Sequence, residues 1–290
     1  MTDLLTRFES AYQEAVAYLE PYVRNTKLQK MVAELDCSMH PDHYDMKNYL
    51  LRSLIRFRFV VEQLGTMTPD QRDSRTWLEV GCLYPALPIA LAKVGFHVSV
   101  AENYSFYPDE FIAMYRRVQK DFGIRFLDMD FSSPRTKVPA KYNNFFDTVS
   151  CLAVLEHLPY TPKFMLQNIH RSLNNHGRLF CEVPNFFYWN SVLKFFSGQH
   201  LQQPMEIVYH SGVPFVGHHR EYSLADLKYV LRESGFDDLT VARFNYSIGS
   251  PLDMKVALFH WPALLFEGLK ETILVTARKS RIPHASKAKF

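Results

Sequence analysis

The stretch from Trp77 to Glu102, WLEVGCLYPALPIALAKVGFHVSVAE, constrains the fold more than any other part of the chain. Trp77–Val80 is a short apolar run that carries Glu79 and ends at Gly81. Pro85–Val94 then repeats apolar residues at helical spacing (Leu87, Ala90, Leu91, Val94), and Gly95 follows where a C-terminal cap belongs. His97–Ala101 is a second apolar, β-branched run, and it stops at Glu102. Strand, glycine turn, helix and strand with a terminal carboxylate form half of a nucleotide-binding βαβ unit. In such a unit Gly81 lets the backbone approach a ligand, and Glu102 is placed to accept both hydroxyls of a ribose.

The rest of the chain continues the alternation. Residues 1–65 read as a helical extension. One stripe from Leu4 to Leu19 ends near Pro21, and a second from Tyr49 to Leu64 ends at Gly65. The interleaved Arg52, Arg56 and Arg58 read as a solvated face, and polar Thr66–Arg75 reads as a linker. After the opening unit come a helix over Tyr107–Phe122 and a strand over Ile124–Leu127 that runs into Asp130-Phe131. A fourth strand covers Phe145–Leu152 and a helix Pro162–Leu173. The turn Asn174–Gly177 precedes a fifth strand over Arg178–Val183. Phe186–His219 interrupts the pattern with aromatics and prolines, and regular structure resumes at Ser223, an N-cap for the helix Leu224–Ser234. Strands are expected over Val241–Tyr246 and Thr272–Ala277, with an apolar helix over Leu258–Leu269 between them.

These segments resemble, in order, the class I S-adenosylmethionine (SAM) dependent methyltransferases. The resemblance rests on Glu79-Val80-Gly81, on Asp130-Phe131, on the FD-x-V…LEHLP arrangement from Phe146 to Pro159, and on the exit of the fifth strand at Pro184-Asn185. It rests also on HHREYSLADLKYVLRESGF from His218, which is similar to bacterial enzymes acting on sugars and other small metabolites. Cys82, Leu83 and Tyr84 depart from the family pattern, standing where further glycines usually follow.

The resemblance implies an α/β fold, a seven-stranded Rossmann-like sheet with helices on both faces. It implies a core over 74–278, an acceptor-side insertion over 186–222, an N-terminal lid over 1–65 and a basic tail over 279–290. SAM is the implied cofactor, with Glu79, Gly81, Cys82, Glu102, Asp130, Phe131 and Leu152 as its site. The implied reaction is methylation of a small-molecule acceptor, at an oxygen of a sugar or related metabolite.

Methyl transfer to a hydroxyl needs alignment, exclusion of water and a nearby base. His157 follows the fourth strand at the implied methyl position, and His218 and His219 lie in the loop over the acceptor, so these three are the catalytic candidates. No metal is expected, because no carboxylate cluster accompanies the widely spaced histidines. A net charge of +3 and the absence of an Asn/Asp-Pro-Pro-aromatic motif argue against nucleic acid as a partner.

Aromatics make up 14% of the chain, more than its core needs. Residues 186–196 and 258–269 therefore leave open a lipid or lipid-linked acceptor with peripheral membrane contact, or a homo-oligomer interface. The lost glycines leave open a non-catalytic protein on the same fold. Cys37, Cys82, Cys151 and Cys181 show no CxxC spacing, which fits reduced thiols in a cytoplasmic protein. No uncharged apolar run reaches the roughly 18 residues of a membrane span, and the N-terminus has no signal-peptide pattern.

Overall fold

The N-terminal stripes fold as α1 (Thr2–Val23) and α2 (Met46–Leu64). The computed structural model describes residues 2–25, 45–64, 75–211, 215, 217–248 and 254–280. Cys37, Gly65, most of the expected linker and the tail from Arg281 lie outside the described residues. α1 runs through Pro21 instead of stopping there. A proline in the last turn removes one hydrogen bond, and burial of Val23 offsets it.

The core follows as β1 (Thr76–Val80), α3 (Ala86–Lys93), β2 (His97–Glu102), α4 (Asp109–Phe122), β3 (Arg125–Asp128) and β4 (Phe146–Leu152). Next come α5 (Lys163–Ser172), β5 (Leu173–Pro184), and two helices within the insertion, α6 (Trp189–Phe196) and α7 (Met205–His210). The chain closes with α8 (Leu224–Glu233), β6 (Phe236–Phe244), α9 (Met254–Leu265) and β7 (Thr272–Lys279).

Two strands start earlier than their hydrophobic pattern suggests. β5 begins at Leu173, paired with Phe146, and the 174–177 turn sits inside it as a register shift. β6 begins at Phe236, with an irregularity between Asp237 and Thr240 where Asp238 takes a left-handed φ of 50°. In both cases polar bulge residues break the alternation that marks a strand.

The sheet has seven strands in the order β3-β2-β1-β4-β5-β7-β6. β1 through β5 pair in parallel, and β7 lies antiparallel to both β5 and β6. Both faces are covered, so the central strands are apolar on alternate sides. Trp77, Val100, Phe180 and Leu274 pack on one face against α1, α2, α3 and α4. Leu78, Val149, Cys181 and Val275 pack on the other against α5 and α8. α8 begins with a reciprocal capping box between Ser223 and Asp226.

Arg56 is a correction to the sequence reading. Arg52 and Arg58 are exposed, but Arg56 is 3% exposed and its Nε lies 2.9 Å from Oε1 of Glu182, itself 2% exposed. The same nitrogen donates to Oε2 of Glu182 at 3.2 Å, and Arg56 Nη1 donates to the Tyr49 hydroxyl at 2.9 Å. Helical periodicity sets Arg56 on the face of α2 that meets the sheet, where a carboxylate at the end of β5 awaits it. Burial works against the guanidinium charge, but Glu182 outweighs it and holds the Arg56 pKa above its ordinary value.

Removing one partner of such a pair leaves the other charge buried and bare. Arg56→Ala should cost about 3–5 kcal/mol of unfolding free energy in urea titration. The double replacement Arg56→Met with Glu182→Leu should recover most of that loss. Equal destabilisation by the single and double variants would show that the pair does not fasten α2 to the sheet.

Candidate functional site

β2 and β4 flank β1 on opposite sides, so the strand order reverses at β1, and open α/β sheets bind ligands beyond the strand ends at such a point. A cavity of about 1040 Å³ opens there. Its floor includes Glu79, Glu102, Leu152 and Glu182 from the ends of four strands, and α2 contributes Tyr49, Ser53 and Arg56. Gln202, Gln203 and Ile207 line it from the insertion. Ligand pockets usually enclose roughly 300–1,000 Å³, so this one has room for a nucleotide-sized cofactor and a second small molecule.

The turn after β1 requires its glycine twice over. Gly81 has a φ of 73°, and a Cβ there would stand 2.8 Å from Cγ2 of Val154. The backbone then curls so that the N–H groups of Cys82 and Leu83 both donate to Oε1 of Glu102. Tyr107 donates its hydroxyl to the other oxygen at 3.2 Å, and Tyr115 holds the Leu83 carbonyl at 2.8 Å. Leu83 and Ala153, on the two turns flanking the cavity, take positive φ values of 49° and 54°. Non-glycine residues adopt this region at a cost, and such strain gathers at functional sites. Tyr84 packs on Phe111 with ring centroids 5.0 Å apart and lines the cavity with a buried hydroxyl that has no partner among the described residues.

Glu79, Glu102 and Asp130 line the cavity beyond β1, β2 and β3. Glu79 is bonded by the Ser150 hydroxyl, which in turn accepts from Trp77 Nε1 at 2.6 Å. Burial pushes the Glu79 carboxyl up to about 8, against the pull of Ser150 and Trp77. Burial also raises Glu102, opposed by the amides of Cys82 and Leu83. Asp130 accepts from the amide and hydroxyl of Ser132 with Oδ1, at 2.9 and 2.6 Å, so it braces its own turn as well as lining the cavity.

A separate corner forms after β4, where the chain makes a short 3₁₀ turn over Leu155–His157. The backbone N–H groups of His219 and Arg220 donate to the Glu156 carbonyl at 2.7 and 3.3 Å, which ties the 217–221 loop to this turn. His218 is thereby brought edge-on to His157, with ring centroids 4.7 Å apart. His218 Nδ1 lies 2.7 Å from Oε1 of Glu221. Glu156 is fully buried, and among the described residues neither of its carboxylate oxygens has a hydrogen-bond partner. Burial pushes this carboxyl up to about 8.

Glu79, Gly81, Cys82, Glu102, Asp130, Phe131 and Leu152 all line the cavity, as do His157 and His218. His219 does not. Its Nε2 lies 2.8 Å from the Phe215 carbonyl, so its ring braces the loop and faces away from the cavity wall. Sequence reasoning missed Glu156 and Glu182, whose polarity is hidden inside apolar strand-end runs, and Arg56, read as solvated. A carboxylate within an otherwise apolar strand end was the available signal, already used for Glu79 and not extended to Glu182.

The residues fit SAM. Gly81 holds a φ of 73° that keeps the turn close to the strand ends, and the Tyr84 hydroxyl is a buried cavity-lining group without a partner among the described residues. Glu79, Glu102 and Asp130 supply acceptors suited to a ribose diol and to a cationic ligand.

The raised Glu79 pKa has a consequence for stability. A carboxyl that titrates near 8 in the folded chain and near its ordinary 4.5 in the unfolded one binds more protons when folded between those values. Stability contributed by Glu79 therefore falls as pH rises from 4.5 to 8. Glu79→Gln should leave thermal stability near wild type at pH 4.5 and raise it relative to wild type by pH 8. A difference between the two proteins that stays constant with pH would remove Glu79 as the cause.

A family profile described as a methyltransferase domain matches residues 49–241. No curated protein matches the chain. Among solved structures, a SAM-dependent methyltransferase from Archaeoglobus fulgidus superposes with a TM-score of 0.51 at 16% identity, covering 79% of this chain and 94% of the other. One from Mesorhizobium loti gives 0.50 at 16% identity, covering 74% and 99%. The CMeT domain of the citrinin polyketide synthase gives 0.53 at 12% identity, covering 94% of this chain and 66% of that one. At these identities the structural matches show the fold, and the profile shows the family. The chain belongs to the methyltransferase-domain family.

Proposed function

We propose that the chain methylates an oxygen of a small, polar acceptor of the sugar or related metabolite class. The single observation that carries this reading is the wall of the cavity opposite the strand ends. Ser191, Gln202, Gln203, Tyr246 and Ser247 set amide and hydroxyl groups beside apolar Leu201 and Ile207. Such a mixture suits a polyhydroxylated acceptor that is fixed by hydrogen bonds and shielded from bulk water.

When bound, the cofactor supplies an electrophilic methyl group on a sulfonium. The chain's own part is to hold and to orient. In this reading Glu102 accepts from the ribose, Asp130 and Phe131 lie against the base, and the Gly81–Leu83 turn and Leu152 hold the methionine part. The Glu156–His157–His218 corner faces the acceptor hydroxyl and answers the charge that develops as its proton leaves. Arg56 and Tyr49 close the roof, so that water is excluded while the groups are aligned.

A lipid-linked acceptor is the second reading, favoured by one specific observation. Leu193, Phe195 and Phe196 of α6 and Leu258, Phe259 and Leu265 of α9 are exposed. Trp189 Nε1 donates to the Phe259 carbonyl at 2.6 Å, which joins the two helices into one face beside the cavity. Among the described residues no helix is long and apolar enough to cross a membrane, so lipid would meet this face from outside. Cosedimentation with phosphatidylcholine–phosphatidylglycerol vesicles separates the readings, since only the lipid-linked one expects the protein in the pellet.

Two substitutions test the main reading. Glu102→Ala should weaken SAM binding by about 1–3 kcal/mol in calorimetry, and unchanged affinity would remove Glu102 from the cofactor site. With sugar nucleotides as acceptors, His157→Ala should lower turnover by about 10²–10⁴-fold while SAM affinity stays near wild type. Wild-type kinetics in that variant would move the acceptor's reacting oxygen elsewhere.

A further inference from the structure

We propose that Glu156, His157 and His218 form a binding site for one divalent transition-metal cation of the zinc type, at the acceptor side of the cavity. One potential ligand atom from each lies within 4.8 Å of the other two. Two imidazoles and a carboxylate with an open side toward a cavity are the ligand set and layout of a catalytic rather than a structural zinc site. The mixed nitrogen–oxygen set favours zinc or its substitute cobalt over magnesium, which prefers oxygen alone and keeps its waters.

Three features speak for a built site. The first is the state of Glu156, which is fully buried with both carboxylate oxygens unpartnered among the described residues. A buried carboxylate without a hydrogen bond is costly and rarely kept without a use. The second is the contact of His218 Nδ1 with Oε1 of Glu221 at 2.7 Å, which holds the ring by one nitrogen. A carboxylate that grips the far nitrogen of a histidine is the usual support for a metal ligand, because it fixes the tautomer and raises ligand basicity. The third is the backbone clamp, in which the N–H groups of His219 and Arg220 hold the Glu156 carbonyl and carry His218 to its partners.

Metal–ligand bonds of roughly 2.0–2.1 Å would draw the three atoms to within about 3.4 Å of one another in a tetrahedral arrangement. That is a closure of little more than 1 Å, within reach of side-chain rotation. The sequence reading expected no metal because it looked for a cluster of carboxylates along the chain. A single glutamate suffices once the 3₁₀ turn and the clamped loop bring the second histidine to it. The consequence for chemistry rests on the proposed acceptor reading. An acceptor hydroxyl on the open coordination position would lose its proton to solvent more readily, as metal-bound water does.

The test uses the full chain, freed of metal by a chelator and dialysed. Zinc chloride is titrated by calorimetry, cobalt chloride is followed by its visible ligand-field bands, and magnesium chloride serves as the control. SAM affinity is measured on the same preparations. The expected result is one Zn²⁺ or Co²⁺ per chain and no detectable Mg²⁺ binding. The site should be lost in Glu156→Gln and in His218→Ala, and weakened about 10–100-fold in Glu221→Gln. Circular dichroism confirms that each variant is folded. Wild-type protein that takes up neither Zn²⁺ nor Co²⁺, or variants that bind them as the wild type does, would overturn the proposal. If SAM still binds in that case, the methyltransferase reading stands without the metal, so the two failures are distinguishable.

Discussion

The buried ion pair between Arg56 and Glu182 joins parts of the chain that local periodicity cannot connect. Glu182 sits near the end of β5, in a sheet position that the hydrophobic pattern reserves for apolar side chains. A carboxylate there is tolerable only with a partner that also gives up its hydration. Arg56 supplies that partner from α2, more than a hundred residues earlier, and its guanidinium also lies 5.2 Å from the Tyr246 ring and 5.6 Å from that of Phe57. The pair therefore specifies where α2 sits along the sheet. Once α2 is placed, Tyr49, Ser53 and Arg56 become walls of the cavity, and the helical extension becomes part of the site.

The departure from the glycine-rich pattern at Cys82-Leu83-Tyr84 has a physical answer in the same region. A turn rich in glycine gains its close approach to a ligand from backbone freedom. Here only Gly81 provides it, and the remaining freedom is replaced by external support. Glu102 collects two amides, Tyr115 fixes the Leu83 carbonyl, and Tyr84 wedges against Phe111. Leu83 is held at positive φ by these contacts, without any intrinsic preference for it. The bulky residues stiffen the loop instead of blocking it, because Tyr84 turns into the core formed with α4.

Legibility in the sequence followed the strength of local periodicity. β1, α3, β2 and α8 were readable to within a residue or two, since apolar spacing and caps such as Ser223 mark them. β5 and β6 began earlier than their patterns because bulges carry polar residues inside a strand. Of the site, residues at strand ends were legible, since the fold places every strand end at the cavity. Arg56 was not, because a charged residue in a helical stripe is ordinarily solvated. Glu156 was passed over because its burial depends on a 3₁₀ turn and a distant loop, neither of which leaves a periodic trace.

The insertion between β5 and α8 is built by a different logic from the strand ends. At the exit of β5, Asn185 donates to the carbonyls of Gly268 and Lys270 and accepts from the Phe187 amide, while Phe186 N–H bonds the Tyr222 carbonyl. The roots of the insertion are thus fastened to each other by backbone atoms and to the segment before β7 by the Asn185 side chain. Anchorage at the roots does not depend on which side chains lie between them. The wall formed by α6 and α7 can exchange polar for apolar residues without disturbing the carboxylates at the strand ends. The histidine corner is tied to the insertion through the clamp on the Glu156 carbonyl. A change in the insertion that shifts the 217–221 loop therefore shifts His218 against His157, whose ring lies 4.7 Å away.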